Sequence, residues 1–367
     1  MQRLQVTAER LDYPVIAGRG AWREIRGLRP DRYSSVFILT EGQIWSHWGG
    51  LFRRESGFER AQVIRVPGGE RSKSLAQAER VAAQLLRYGA DRRSLLVLFG
   101  GGVIGDLGGF VASTYMRGID CVQVPTTVLA QVDSSVGSKT AVNVGAMKNL
   151  MGTFYPPRMV LADPIVLGSL PARAFRSGLY EVAKHAILAG PRLFDLFERQ
   201  LRGLSPRKSR ALSRLLVPAV KVKVDVVNRD EHETGLRQTL NLGHTFGHAL
   251  EEATRYRRFS HGEAVAWGLL AVTELAERLG LMASAHGRER PAGGTSDADR
   301  IRRLVKAIGP LPSIRDVPAR TVVRLLPRDK KTVSGEIHWV IPERIGKVKS
   351  VTGIPLTEAE AVWRELQ

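Results

Sequence analysis

The chain has 367 residues, 43% hydrophobic and 25% charged, enough for two domains with buried cores and unlike a disordered chain. Lys and Arg total 55 against 36 Asp and Glu, a formal charge of +19, and the single cysteine, Cys121, excludes an internal disulfide. No apolar run approaches the ~18 residues of a membrane span and Met1–Glu24 shows no secretory pattern, so a soluble cytoplasmic protein with no membrane partner is expected.

Short apolar, β-branched runs recur at Ser35–Thr40, Gln62–Val66, Leu95–Phe99, Cys121–Val124 and Met159–Ala162. Helical spacing lies between them, notably at Leu75–Arg87. This alternation predicts an open, mostly parallel sheet covered by helices. Beyond Pro171 the pattern changes to long helices at Phe175–Leu188, Arg210–Asn228, Leu240–Thr254 and Gly262–Leu279, and His286–Ser296 reads as an exposed loop. The expected architecture is an α/β N-terminal domain over residues 1–168 and an all-α C-terminal domain over 169–367.

The basic excess is mostly arginine, 43 of the 55 cations, scattered along the chain without interleaved aromatics. It reads as a solvated surface, and no nucleic-acid partner is expected. A field of this sign still attracts a small polyanion.

Three groups of residues carry chemistry. Gly100-Gly101-Gly102-Val103-Ile104-Gly105-Asp106 follows an apolar strand and opens a helix. Read as GxGxxG, it lets the backbone approach a pyrophosphate at a helix N-terminus; the bland alternative is a tight turn with no ligand. The acidic residue usual ~20 positions later is not well placed. Glu41, and Glu70 with Lys73, are the candidates for holding a ribose.

His244, His248 and His261 cluster in a chain with only eight histidines. The first two share a face if Asn241–Leu250 is helical. With Glu181, which stands three residues before Lys184, they offer imidazoles and a carboxylate that zinc accepts with open positions left over. The alternatives are core histidines and an ordinary helix-surface ion pair. Finally, Lys139, Lys148, Lys223, Arg237 and Lys330-Lys331 are cations in unusual company for an Arg-rich chain; if they converge with zinc they imply an anionic substrate bearing phosphate and carboxylate, and the alternative for each is a solvated surface charge.

Over Glu70–Gly346 the sequence resembles the 3-dehydroquinate synthase family, part of the sugar phosphate cyclases. The likeness is carried by Gly100–Asp106, Thr114–Gly118, Pro125-Thr126-Thr127, Gln131–Gly137 with Lys139-Thr140, and Lys148-Asn149-Leu150. It continues through Glu181–Lys184, Asp230-Glu231, Leu240–Ala249, His261–Val265 and Asp329-Lys330-Lys331. The resemblance implies a Rossmann-like NAD domain, a helical zinc domain, an active site in the cleft between them and a homodimer. It implies that Glu181, His244 and His261 bind Zn2+, with Co2+ able to substitute, and that His248 transfers a proton.

The same resemblance assigns phosphate contacts to Lys139, Asn149 and one of Lys330 and Lys331, with Arg117 reaching across the dimer. Lys223 and Arg237 become carboxylate and hydroxyl contacts, and Asp133, Lys184 and Asn241 complete the substrate shell, with Lys148 a further active-site position. The cofactor contacts become Glu41, Glu70, Lys73, Gly101, Gly102, Gly105, Asp106, Thr126, Thr127, Lys139 and Lys148. The implied reaction turns 3-deoxy-D-arabino-heptulosonate 7-phosphate into 3-dehydroquinate and phosphate, a lyase step of the shikimate pathway leading to chorismate and the aromatic amino acids. NAD+ is regenerated in each turnover.

Two departures from the family pattern stand out. Gly137-Ser138 replaces the usual Gly-Gly before Lys139, and Ser138 is strained if its φ is positive. Thr40–Gln43 lacks the more usual Asp and Asn. Two other readings remain at this point: a cyclase acting on another sugar phosphate, and a metal-dependent polyol dehydrogenase of similar architecture.

Overall fold

Every residue of Leu95–Gly100 is buried in the computed structural model. Helices cover both faces of this strand, which is why its sequence is a continuous apolar run rather than an alternating one. The structure describes residues 1–145, 147–233, 235–282, 295–328 and 336–367. Contacts divide the chain into two units, Met1–Phe175 with Ser205–Glu231, and Arg176–Leu204 with His232–Gln367.

The first unit contains β1 (Gln2–Ala8), β2 (Leu11–Ala17), β3 (Val36–Glu41), α1 (Gly42–Ser56), β4 (Gln62–Val66), α2 (Leu75–Arg87), β5 (Leu95–Gly100) and α3 (Gly102–Thr114). β6 (Asp120–Pro125), the hairpin β7 (Lys139–Val144) and β8 (Met147–Phe154), and β9 (Met159–Ala162) follow. Seven strands form one sheet in the order β1-β2-β9-β6-β5-β3-β4. Only the β1–β2 pair is antiparallel.

The run β4-β3-β5-β6-β9 is the 2-1-3-4-5 order of doubly wound folds, whose ligand crevice opens at the carboxyl ends of the two strands where the order reverses, here β3 and β5. One sheet face packs Phe37, Leu39, Leu96 and Leu98 against α2 and α3 through Val81, Leu85, Leu107 and Val111. On the other face Phe99 stacks on Phe52 with ring centroids 4.7 Å apart.

The chain then runs through α4 (Ala172–Ala189) and α5 (Pro191–Gln200) before α6 (Ser209–Arg229). The sequence pattern groups α6 with the helical half, whereas its contacts lie in the first unit. There the Thr7 N–H donates to Asn228 Oδ1 at 2.9 Å, and Asn228 Nδ2 donates to the Gln5 carbonyl at 3.0 Å.

The second unit holds α4 from Arg176 onward, α5, α7 (His244–Ala253), α8 (His261–Arg278), α9 (Asp297–Ile308), α10 (Ala319–Leu325), the hairpin β10 (Trp339–Arg344) and β11 (Lys347–Val351), and α11 (Leu356–Glu365). A Cβ on Gly262 would stand 1.8 Å from the Ser177 carbonyl oxygen, and one on Gly268 1.8 Å from that of Gly243. α8 therefore touches α4 and the start of α7 backbone to backbone. The expected loop at His286–Ser296 falls largely outside the described residues, although Ser296 is described and caps α9 by accepting the Asp299 N–H at 3.1 Å. No helix among the described residues is long and apolar enough to cross a membrane.

Candidate active site

The glycine contacts of α8 bring three side chains together. Gly262 follows His261, Gly243 precedes His244, and Ser177 lies one helical turn before Glu181. Glu181 and Lys184 are 0% and 1% exposed with Lys184 Nζ 2.6 Å from Glu181 Oε2, so this is a buried pair and not the surface ion pair that the spacing allows. Glu181 Oε1 lies 3.6 Å from His244 Nε2 and 3.4 Å from His261 Nε2.

Four-coordinate zinc with bonds near 2.1 Å places its ligand atoms about 3.4 Å apart, so the observed spacings fit a metal centre. The other ring nitrogens are also held. His244 Nδ1 is 3.2 Å from the Leu242 carbonyl, and His261 Nδ1 is 3.0 Å from Glu251 Oε2, the outer contacts that orient metal-binding imidazoles. Burial pushes the His261 pKa down, but the Glu251 and Glu181 carboxylates outweigh it and raise it to about 10. The pocket therefore stabilises positive charge.

His248 lies one turn beyond His244 on α7, with ring centroids 5.3 Å apart. A second donor group, His248, Glu251 and His261, shares His261 with the first. Asn241 donates to Glu233 Oε1 at 3.1 Å, and Arg237 is buried in the same turn of 3-10 helix.

In the first unit the glycine-rich turn closes β5 and starts α3, with Gly101 at the N-cap. None of Gly100, Gly101 and Gly102 has positive φ, so their sequence identity reflects close approach rather than a left-handed turn. A Cβ on Gly102 would stand 3.2 Å from Ser134 Oγ. Beside this turn, Thr126 Oγ1 is buried without a hydrogen-bond partner among the described residues, which leaves a polar atom for a ligand to satisfy. Thr127 Oγ1 accepts the Ala130 N–H at 3.0 Å.

Glu41 ends β3, next to β5 at the crevice, where burial raises its carboxyl pKa. The turn follows the third strand of the winding order, and the carboxylate at the end of the adjacent strand belongs to the earlier β3.

Lys73, only 4% exposed, pairs with Asp106 and also donates to Asn149 Oδ1. Burial raises the Asp106 carboxyl pKa and Lys73 opposes that rise. Asp106, Lys139, Asn149 and the hairpin backbone line a cavity of about 210 Å³. Lys223 on α6 lies 2.5 Å from Asp133 Oδ1. Lys148 is half-buried on β8.

Arg117 is exposed and follows Met116 in two successive left-handed residues, φ 49 and 71, a sparsely populated conformation. Ser138 is not strained: Gly137 takes the positive φ of 122, and Ser138 is buried with an unpaired Oγ among the described residues. Lys330 and Lys331 lie outside the described residues. Sequence reasoning missed Glu251, Glu233 and Asn143. The Glu251-Glu252 pair looks like a solvated helix end, and only its place seven residues after His244 hinted otherwise.

Comparison with known proteins covers most of the chain. The model of the 3-dehydroquinate synthase N-terminal domain matches residues 63–177, and that of the C-terminal domain matches 178–332. A 3-dehydroquinate synthase of Koribacter versatilis is 45% identical over 355 residues, covering 95% of this chain and 93% of the relative. Among solved structures, 2-epi-5-epi-valiolone synthase from Streptomyces hygroscopicus with NAD+ and Zn2+ superposes with a TM-score of 0.83 at 27% identity, covering 99% of both chains. A 2-deoxy-scyllo-inosose synthase complexed with carbaglucose-6-phosphate, NAD+ and Co2+ gives 0.82 at 25% identity, covering all of both chains. With the glycine turn, the Lys139–Asn149 hairpin and the Glu181–His244–His261 donor set all inside the matched segments, the chain belongs to the 3-dehydroquinate synthase family.

Proposed function

We propose that this chain converts 3-deoxy-D-arabino-heptulosonate 7-phosphate into 3-dehydroquinate and phosphate, as a cytoplasmic, homodimeric lyase of the shikimate pathway. The carrying observation is the convergence of Glu181, His244 and His261 in a chain matched by this family over residues 63–332. The NAD+ and Zn2+ or Co2+ bound in the solved neighbours support the same two cofactors here.

In this reading Glu181, His244 and His261 hold the divalent ion, and the first unit holds NAD+ with Glu41, Glu70, Lys73, Asp106, Thr126, Thr127 and the turn Gly101–Gly105. When bound, the ion supplies Lewis acidity toward substrate hydroxyls and the dinucleotide supplies reversible oxidation. Lys139 and Asn149 orient the substrate phosphate at the cavity beside Asp106, firmly enough to align it and loosely enough to let it leave. Lys148 adds a cation on the same hairpin. Lys223 and Arg237 serve as carboxylate and hydroxyl contacts, and Asp133, already paired with Lys223, fixes that amine. Lys184 steadies the Glu181 carboxylate, His248 moves a proton beside the centre, and Asn241 bonds a hydroxyl. One of Lys330 and Lys331, both outside the described residues, has the remaining phosphate contact by the family likeness.

The apolar surface left by exposed Met147, Leu150, Met151 and Phe154 on the hairpin supports a second copy of the chain covering it. The test is turnover by purified protein with zinc and NAD+. Phosphate release from the heptulosonate without accumulating NADH is expected. Steady NADH production would indicate a dehydrogenase, and preference for another sugar phosphate a different cyclase.

A further inference from the structure

The strands of the β7–β8 hairpin fall out of step around Asn143. Val142 pairs with Met151 and Val144 with Met147, so this one residue faces Lys148, Asn149 and Leu150. Such a bulge bends a strand and re-aims its side chains. Asn149 adopts the left-handed region there, at φ 54. Its N–H, outside the ladder register, donates to Asn143 Oδ1 at 2.9 Å.

The rest of Asn143 turns to a different segment. Its Nδ2 donates to Glu70 Oε1 at 2.8 Å, and its backbone N–H donates to the Lys73 carbonyl at 2.8 Å, beside an isolated bridge to Ser74. Lys73 closes the loop by donating to Asn149 Oδ1. One side chain thus uses both its acceptor and its donor to tie the Glu70–Ser74 segment to the bulge, all within the first unit.

We infer that Asn143 is a positioning residue coupling dinucleotide binding at Glu70 and Lys73 to phosphate binding at Asn149. The inference rests on the roles proposed above for those three residues. Ordering either segment by its ligand sets the geometry of the other through Asn143, and such coupling is reciprocal. Alanine here removes the acceptor that holds the Asn149 N–H. Aspartate keeps that acceptor but turns a carboxylate toward Glu70.

The experiment titrates NAD+ into the full-length, zinc-loaded protein with and without a saturating non-hydrolysable phosphonate analogue of the heptulosonate phosphate. In the wild type the analogue should tighten NAD+ binding by about 5–150-fold, the usual range of coupling between sites. In Asn143→Ala and Asn143→Asp that ratio should fall toward one, while zinc content stays at the wild-type level. The near-isosteric Asp variant provides the measurement should the Ala variant not fold. General damage weakens both ligands and keeps the ratio, so variants that retain the wild-type ratio overturn the inference. A wild type that binds both ligands without coupling overturns it too, leaving the proposed function intact. Failure to bind NAD+ at all overturns the proposed function, and this inference with it.

Discussion

His261 Nδ1 stands 3.0 Å from the Glu251 carboxylate, and this contact aims the opposite ring nitrogen at Glu181. Glu251 is buried, and the bond fixes both the rotation and the tautomer of the ring. Glu251→Gln is expected to lower zinc affinity by about 10–100-fold, the usual cost of an outer contact, measured by chelator competition. His244→Ala should remove zinc and activity together, because the remaining two donors lose the chelate. Equal losses from the two substitutions would make Glu251 itself a ligand, in the alternative group with His248.

Gly268 stands seven residues beyond His261, yet its missing side chain governs His244. A methyl there would overlap the Gly243 carbonyl, which leads directly into the first residue of α7. Gly268→Ala should cost about 1–3 kcal/mol of stability, the range for overpacking a filled core. It should also weaken zinc binding without touching any donor atom. Thermal unfolding and chelator competition on the same variant check both.

Lys139 lines the cavity beside Asp106. Loss of one charged hydrogen bond is worth about 1.5–3 kcal/mol, so Lys139→Ala should weaken the phosphonate analogue by about 10–150-fold. Dinucleotide affinity should change less. Parallel losses of both would place Lys139 chiefly against the cofactor.

Cys121 lies in the core of the sheet, where burial pushes its thiol pKa up from 9.0 to about 12. Below pH 9 the thiol is protonated in both folded and unfolded chains and costs nothing. Above it the unfolded chain ionises first, so stability falls as pH rises toward the folded value. Between pH 8 and pH 10 the loss from this group should be about 1.4 kcal/mol, one pH unit past the unfolded value. Urea midpoints across that range should fall more steeply for wild type than for Cys121→Ala. Identical slopes would show that the thiol ionises in place.

Much of the sheet was legible because its central strands are buried on both faces. β9 begins and ends where its apolar run does, and β3, β5 and β6 come within a residue or two; the edge strand β4 also matches its run, with Gln62 and Arg65 exposed. β1 and β2 escaped notice because Gln2, Arg3, Gln5 and Thr7 break up the edge strand and Pro14 interrupts its partner. In the hairpin β7–β8, the apolar residues of the largely exposed β8 follow no two-residue period, so no hydrophobic pattern marks it.

At the candidate metal centre the donor set that the structure brings together could be anticipated from histidine spacing and the family likeness. The glycine contacts that assemble them could not, because Gly262 and Ser177 are far apart in sequence. The same holds for Lys223 with Asp133, and for Asn143 with Glu70, whose pairing depends on a bulge that no local pattern announces.

The placement of α6 has a practical side. The polypeptide leaves its first unit after Phe175, returns for Ser205–Glu231, and departs again. That returning stretch buries Leu212, Leu215, Leu216 and Val220 and clasps the edge strand through Asn228. Severing the gene near codon 170 would therefore strip a greasy flank bare and discard the amine facing Asp133. The excised fragment should clump rather than survive as a free-standing nucleotide binder, whereas a fusion that restores the missing helix should keep it in solution.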